Sequence, residues 1–455
     1  MPDHAPTQIA AAPVTRILAE YVAAATPDQL PQPVRKEAAR TFLNWLGCAI
    51  GGCRHEAVEA ALAALSPFSG PGTASILGRG ERVDPLHASL INGISSHVFD
   101  FDDTHLRTVI HPAGPLASAL LAYAQHVPVS GPDFINALVL GAEVSCRIGN
   151  AVFPEHYDVG WHITGSTGPM GAAAAIGKLL GLDARRMGWA LGIAASQPVG
   201  LREQFGSMTK SFHPGRAAQN GFTAALMAAK GYTASEQALE AKRGWLNVLS
   251  TRHDSHEITE GLGQSYEILA NSYKPFACGI VLHPSIDACI QLHDQGGFSI
   301  AEIAEVALRV HPLVLELTGK TKPRDGLEGK FSVYHAAAVA LMEGDGGEHQ
   351  FSDRAVTDPQ IIALRQKVTA TVDPEMAPDA AHLAVTLADG RTLTRDVPHA
   401  IGSLARPMTD ADLERKFTGL ASEHLKPERI QQLLLLCWNI ETLDDVSKIA
   451  EAAHP

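Results

Sequence analysis

The sequence predicts a mainly α-helical protein with a large all-helical domain and a smaller α+β domain. Three patterns in its 455 residues support this fold class. Apolar residues recur at helical spacing from about residue 14 to 270, they alternate with polar residues between about 366 and 397, and helical spacing returns near the C-terminus. We therefore predict the helical domain over residues 1–270 and 405–455 and the α+β domain over residues 271–404.

The first domain is predicted to be a tightly packed helical bundle. Alanine and glycine dominate the faces of its helical segments, so the helix axes are able to approach closely. The clearest segments are VRKEAARTFLNWLGCAIGG (34–52), PLASALLAYAQHV (115–127), DFINALVLGAEVSCRIGNAV (133–152) and GPMGAAAAIGKLLGLD (168–183).

The second domain is predicted to combine helices with a β-hairpin. LAVTL and RTLTRDV alternate apolar and polar residues around Asp389-Gly390, a pair typical of hairpin turns. QKVTATVDPEM (366–376) alternates in the same way, whereas IAEVALRV (303–310) fits either a helix or a strand. Helices are predicted over 283–296 and from about Ser332 to Met342.

Two further helices are predicted at the C-terminus, over 409–424 and 427–451. Thr409 is a plausible N-cap for the first of them, because its hydroxyl is able to accept a hydrogen bond from a free backbone N–H. We expect this pair to return to the helical domain.

Composition excludes several classes of partner. The net charge of −13 and the absence of a basic stripe argue against nucleic-acid binding. No apolar stretch approaches the eighteen residues of a membrane span, and the N-terminus lacks the pattern of a signal peptide. The six cysteines are scattered without a C-x-x-C pair, as in reduced proteins. We expect a cytoplasmic protein.

One acidic stretch, VFDFDDTHL (98–106), suggests metal-dependent phosphoryl transfer. Asp100, Asp102 and Thr104 fit a D-x-D-x-T pattern in which one carboxylate is the nucleophile and Mg²⁺ completes the site. That chemistry needs a buried strand before the motif, but residues 87–98 have the mixed polarity of a helix. A second acidic pair after Asp345 is also missing. We therefore disfavour this hypothesis, and Asp residues at a helix cap or turn are the simpler explanation.

The sequence contains neither a phosphate-binding glycine loop nor a G-x-S-x-G motif in a suitable context. Instead, histidines, lysines and an aspartate lie in loops before helices, where backbone N–H groups and the helix dipole attract anions. These features predict a cationic pocket for carboxylates. The candidate residues are Asp100, Thr104, His105, His111, His162, Lys210, His213, Arg216, Lys274 and His283.

Each candidate also has a structural explanation. His111 and His283 precede proline and fit a turn, His162 follows a tryptophan and fits a core position, and the lysines fit the surface. Arg216 begins an alanine-rich helix and could pair with a nearby acid. No H-x-x-x-H spacing occurs, so we predict no metal site and no cofactor.

Five motifs in order along the chain resemble those of the MmgE/PrpD family. They are DFDDTH followed by HP, GWHITGSTGPMGAAAAIGKLLGLD, MTKSFHPGRAAQNG, YKPFACGIVLHPSIDA and GSLARPMTDADLERKF. The resemblance implies a helical domain, an α+β lid domain, a homodimer and chemistry without a cofactor. It also implies that VFDFDDTHL is an active-site loop and that its D-x-D-x-T pattern is a coincidence.

The resemblance implies roles for individual residues. Asp100 and Thr104 match the family's pocket loop, and Tyr334 in KFSVYHAAA matches a pocket tyrosine. We expect His162 to transfer a proton with His111 as the second acid/base. We expect Lys210 and Lys274 to bind carboxylates, and Tyr334 to protonate a leaving group. Asp100 is expected to orient a histidine or to contact a hydroxyl group. Substrate contacts are expected from Thr104, Arg216, His213 and His283.

The activities implied by the resemblance share a carbanion or enolate next to a carboxylate. We expect a dehydratase or hydratase of a small hydroxy di- or tricarboxylate such as 2-methylcitrate. An epimerase of a dicarboxylate such as iminodisuccinate is the main alternative. A decarboxylase of the cis-aconitate type is disfavoured, because Gly279 replaces a histidine of that branch and one extra residue separates Thr104 from His111. A carboxylate-binding protein without catalysis is the remaining alternative.

Overall fold

The computed structural model describes residues 12–455, so the first eleven residues of the predicted helical domain lie outside it. The predicted fold class is confirmed: helices dominate, and one four-stranded sheet lies in the second half of the chain. None of the described helices is long and apolar enough to cross a membrane. The domain boundaries stay predictions.

The first part of the chain is built from twelve helices among the described residues. They are α1 (Val14–Ala24), α2 (Gln32–Gly51), α3 (Glu56–Leu65), α4 (Pro85–His97), α5 (Ala113–Ala124), α6 (Gly131–Val152), α7 (Glu155–Val159), α8 (Ile163–Leu179), α9 (Ala184–Ala195), α10 (Thr209–Ala229), α11 (Trp245–Leu249) and α12 (His256–Thr259).

Two short antiparallel strand pairs interrupt this helical part, and the sequence pattern predicts neither. The first joins β1 (Ala74–Ser75) to β2 (Arg82–Val83), and the second joins β3 (Asp103–His105) to β4 (Asn271–Tyr273). The second pair brings together two segments that are far apart in the sequence.

The second part of the chain contains the sheet. Its elements are α13 (His283–Gln295), β5 (Ile303–Val310), α14 (Pro312–Thr318), α15 (Gly326–Gly329), α16 (Val333–Glu343), α17 (Asp353–Thr357), α18 (Pro359–Arg365), β6 (Val368–Val372), β7 (Ala381–Leu387) and β8 (Thr392–Val397). The strand order is β6-β5-β7-β8, with β5 parallel to β6 and antiparallel to β7. IAEVALRV is therefore a strand, and the predicted β7–β8 hairpin with its turn at Asp389-Gly390 is confirmed.

Three further helices end the chain: α19 (Asp410–Ala421), α20 (Pro427–Trp438) and α21 (Ser447–Ala452). Thr409 caps α19 as predicted, and its hydroxyl accepts a hydrogen bond from the N–H of Asp412. Helix α19 packs on α2, where Phe417 lies against Gly47.

Glycines allow the helices that carry the candidate site to cross at short range. A Cβ atom added to Gly215 of α10 would lie 2.3 Å from the carbonyl oxygen of Leu90 in α4. A Cβ atom added to Gly221 would lie 2.3 Å from the carbonyl oxygen of Pro169 in α8. Real Cβ atoms do not approach backbone this closely, so only glycine fits at either position. These contacts hold α4, α8 and α10 together near the functional side chains.

Candidate active site

The acidic loop of residues 98–106 is not part of a phosphotransferase fold. Helix α4 ends at His97, directly before the loop, so the segment upstream is a helix as the sequence predicts. The loop then enters β3, in which Asp103 pairs with Tyr273 and Thr104 with Ser272 of β4. Because Lys274 follows β4 directly, this pairing places its side chain beside Asp100.

Asp100 lies between two buried lysines. Its Oδ1 atom is 2.5 Å from Nζ of Lys274, and its Oδ2 atom is 2.9 Å from Nζ of Lys210 in α10. Burial opposes ionisation of Asp100, but the two ammonium groups outweigh it and hold the pKa of the carboxyl well below its ordinary value. The backbone of Asp100 has a φ of 51°, which is uncommon for a residue other than glycine.

The two lysines differ in their electrostatic surroundings. Burial lowers the pKa of Lys210, and the charge of Lys274 lowers it further, while Asp100 opposes both effects. Burial also disfavours the charge on Lys274, but Asp100 and Asp102 together raise its pKa. Lys274 is therefore the fixed cation of the pair, and Lys210 gives up its proton more readily.

His97 and Asp102 form a buried pair that the sequence analysis missed. Nδ1 of His97 is 2.7 Å from Oδ2 of Asp102, and both side chains are fully inaccessible to solvent. Burial opposes the charge of Asp102, but His97 and His111 hold the pKa of this carboxyl below its ordinary value. The carboxylate accepts the Nδ1 proton, and Nε2 of His97 has no hydrogen-bond partner among the described residues.

His111 is held in one tautomer. Its Nδ1 atom lies 2.6 Å from the carbonyl oxygen of Asp103, which only accepts hydrogen bonds, so Nδ1 carries the proton and Nε2 the lone pair. The hydroxyl of Thr164 accepts a hydrogen bond from the backbone N–H of His111 at 3.0 Å. Burial lowers the pKa of His111 to about 3. The imidazole is therefore neutral at physiological pH and has the form of a general base.

His162 precedes α8 and contacts His213 of α10. Their Nδ1 atoms are 2.9 Å apart, so one ring donates a hydrogen bond to the other. Burial, His213 and Lys210 hold the pKa of His162 well below its ordinary value, and burial lowers the pKa of His213 to about 4. Both rings are neutral near pH 7.

Three imidazoles converge beside the lysine pair. One ring nitrogen from each of His97, His111 and His162 lies within 4.8 Å of the others. Three histidines are also a common zinc ligand set. However, the ammonium groups of Lys210 and Lys274 lie in the same pocket and oppose a dication, so the donor set fits proton transfer better than metal binding. The absence of a metal site stays a prediction.

The two lysines, Asp100, His111 and His162 line a cavity of about 390 Å³, which we call the site cavity. Its polar wall contains six of the predicted residues: Asp100, Thr104, His111, His162, Lys210 and Lys274. Phe205 and Phe331 also line the cavity next to Lys210, whose Nζ atom is 5.1 Å from the centre of each ring, and Gly279 is a further lining residue. A larger cavity of about 810 Å³ beside α9, α10 and α11 has a single charged lining residue, Arg243. The site cavity is therefore the better candidate for catalysis.

Five predicted residues are not part of this lining. The buried ring of His105 contacts Thr108 and Glu267 instead. His213 lies behind His162, and His283 lines a neighbouring cavity instead. Arg216 is exposed on α10 and donates a hydrogen bond to Gln219, because its helical position points away from the cavity. Tyr334 lies in the first turn of α16 and packs against the hydrophobic core. The structure does not bring Arg216 or Tyr334 to the reacting groups.

A third lysine supports the acidic loop from the C-terminal helices. Nζ of Lys416 in α19 donates hydrogen bonds to the carbonyl oxygens of Phe101 at 2.6 Å and Lys274 at 2.9 Å. It also donates one to Oδ1 of Asn44. Burial lowers the pKa of Lys416 to about 8. Lys416 lies in the GSLARPMTDADLERKF motif, but a lysine in an amphipathic helix normally faces solvent, so helical spacing alone does not predict this contact.

Comparisons with known proteins agree with the architecture and the motifs. The MmgE/PrpD N-terminal domain matches residues 16–258, and the MmgE/PrpD C-terminal domain matches residues 276–440. Cis-aconitate decarboxylase of Aspergillus terreus is 28% identical, with 96% of this chain and 95% of the relative covered. The human cis-aconitate decarboxylase is 27% identical, with 92% and 90% covered. 2-Methylcitrate dehydratase of Cupriavidus necator is 26% identical, with 83% and 84% covered. The chain is a member of the MmgE/PrpD family of enzymes.

Proposed function

We propose that the protein is a cofactor-independent lyase that dehydrates a small hydroxy di- or tricarboxylate, or hydrates the corresponding alkene. One observation carries this proposal: two buried lysines share Asp100 beside neutral imidazoles in one cavity. The lysines supply positive charge for a substrate carboxylate and for the enolate that forms next to it. The imidazoles of His111 and His162 are neutral near pH 7, so each ring has a lone pair that is able to accept a proton.

The tautomer of His111 supports its assignment as the base. Its Nε2 lone pair would accept the proton on the carbon next to the carboxylate, while Lys274 stabilises the negative charge that develops there. The C–H electron pair then forms the double bond as the C–O bond breaks. The leaving hydroxide takes a proton from the ammonium of Lys210, whose pKa is lowered, and departs as water. Solvent then returns the proton from His111 to Lys210.

This assignment changes two roles expected from the resemblance. His162 shares Nδ1 with His213, so its tautomer depends on that contact, and we propose that the pair orients the substrate or relays the proton. Lys210 replaces Tyr334 as the proposed donor to the leaving group, because Tyr334 is not part of the cavity lining.

Decarboxylation of the cis-aconitate type is the second candidate. The relatives in support are named cis-aconitate decarboxylases and cover nearly the whole chain. Against it, Gly279 lines the cavity at the position where the family resemblance implies a histidine in that branch. A Cβ atom at Gly279 would meet only ordinary contacts, 3.5 Å from Thr318 and 3.6 Å from Lys330, so backbone crowding does not explain the glycine.

NMR of the purified protein in D₂O separates these activities. The panel is citrate, 2-methylcitrate, malate, tartrate, cis-aconitate and iminodisuccinate. Loss of a hydroxyl group with a new alkene signal is the expected result. Loss of a carboxylate from cis-aconitate would establish decarboxylation instead. Deuterium entering next to a carboxylate without a new compound would establish an epimerase. The homodimer and the cytoplasmic location stay predictions.

A further inference from the structure

A second cavity of about 450 Å³, which we call the annex, adjoins the site cavity. The two cavities share five lining residues, all of them apolar: Val109, Phe153, Ile280, Val281 and Leu313. The annex therefore opens from the site cavity through an apolar junction. A substrate held by the lysines would therefore direct any apolar group toward the annex.

The interior of the annex is suited to an uncharged group. Its further lining includes Leu106, Pro284 and Ile401. His283 also lines it, but burial lowers the pKa of this histidine to about 3, so the ring is neutral. Asp379 and His399 also line it, but they contact each other at 2.7 Å and are partly exposed to solvent.

Val109 lies at the junction of the two cavities, and its backbone is strained. Its φ is 54°, and Asp100 is the other non-glycine residue with positive φ among residues 12–455. β-Branched residues rarely adopt this conformation, because the side chain crowds the backbone. Strain of this kind persists where the surrounding structure imposes it, and it clusters at functional sites. Both strained residues line the site cavity.

We propose that the annex is a subsite for an apolar substituent on the carboxylate substrate, and that Val109 limits the shape of the group that enters. This inference rests on the proposed function, since it takes the carboxylate to bind at Lys210 and Lys274. The substrate class is then an alkyl-substituted di- or tricarboxylate rather than an unsubstituted acid. Each methylene that enters the annex strengthens binding about fourfold, from the general value for burial of apolar surface.

The test is calorimetric binding of succinate and its 2-methyl, 2-ethyl, 2-butyl and 2-hexyl derivatives to the intact protein. Affinity is expected to rise several-fold per methylene and to level off where the chain reaches solvent beside Leu404, which is 53% exposed. Ala405→Trp, at the exposed outer end of the annex, should make affinity level off at a shorter chain. Val248→Trp, at a 63% exposed position outside both cavities, is the matched control and should behave as wild type.

Val109→Gly tests the junction. Glycine accepts positive φ without strain, and loss of the side chain widens the passage. The variant should gain affinity for 2-isopropylsuccinate relative to 2-propylsuccinate. An unchanged ratio would overturn the role of Val109.

The binding results distinguish failure of the annex proposal from failure of the proposed function. Binding of succinate with no gain from longer chains in the wild-type protein overturns the annex and leaves the proposed function in place. An equal gain in Ala405→Trp and wild type also overturns the annex, because the chains would then lie elsewhere. Absence of binding by every acid, succinate included, overturns the proposed function and this inference with it.

Discussion

Replacing Asp100 with asparagine should destabilise the free protein and make it respond more strongly to carboxylates. The substitution removes the one charge between two buried ammonium groups, Lys274 at 1% and Lys210 at 9% side-chain exposure. Breaking a buried ion pair by removing one partner costs about 3–5 kcal/mol. The entropy of unfolding of a 455-residue chain is about 1 kcal/mol/K, from about 2.1 cal/mol/K per residue. A decrease in melting temperature of about 3–5 °C follows.

A bound di- or tricarboxylate should supply the missing charge. In the wild-type protein Asp100 competes with the ligand for the lysines, whereas in Asp100→Asn the ligand meets no competitor. Thermal unfolding with and without citrate should therefore show a larger citrate-induced stabilisation in the variant than in wild type.

A matched control is Asp287→Asn. Asp287 is also buried and pairs with Arg406 at 2.7 Å, but it lines neither cavity. This variant should lose stability without gaining any response to citrate. The reasoning is refuted if Asp100→Asn is as stable as wild type, or if citrate stabilises both proteins equally.

Three further predictions test other parts of the account. His97→Ala should destabilise the protein by about 1–3 kcal/mol, because it leaves the buried Oδ2 atom of Asp102 without its hydrogen-bond donor, and a free energy of unfolding equal to wild type in denaturant titrations would contradict this. Because burial lowers the pKa of His111 to about 3 from about 6.5 in the unfolded chain, the unfolded state binds the additional proton. Stability should therefore fall as the pH drops from 6.5 toward 3, and a melting temperature that is constant from pH 7.5 to 5 would contradict this. Gly215→Ala should lower the free energy of unfolding by about 1–3 kcal/mol or more, because the added methyl group would collide with the backbone of α4. Gly419→Ala, in open space on α19, should raise the free energy of unfolding by up to about 1 kcal/mol, because alanine favours the helix. Denaturant titrations measure both changes.

The helices and the hairpin were predictable because their signals are local. Apolar spacing alone indicates α2 or α6, and Asp389-Gly390 with its alternating flanks indicates the β7–β8 hairpin. IAEVALRV stayed undecided because its pattern fits both structures, and only its pairing with β6 and β7 makes it a strand.

The site was predictable where residues of a motif lie in the same loop, and less so where distant segments meet. Asp100 and Lys274 were recognised from their motifs, but their contact depends on the β3–β4 pair, which joins three residues on each side and has no periodic signal. His97 was missed because it appears as the last residue of a helix, and its partner Asp102 was considered only within the phosphotransferase motif. Tyr334 was expected in the pocket from resemblance, whereas its position in α16 directs it to the core.

The most direct test of the central claim is deuterium exchange from D₂O into the acids of the panel, followed by NMR for wild type and His111→Gln side by side. In the proposed mechanism, the neutral imidazole of His111 removes the proton next to a carboxylate bound at Lys210 and Lys274. Wild type should therefore label one position next to a carboxylate, and His111→Gln should do so at least 100-fold more slowly. Exchange by His111→Gln at the wild-type rate would contradict it.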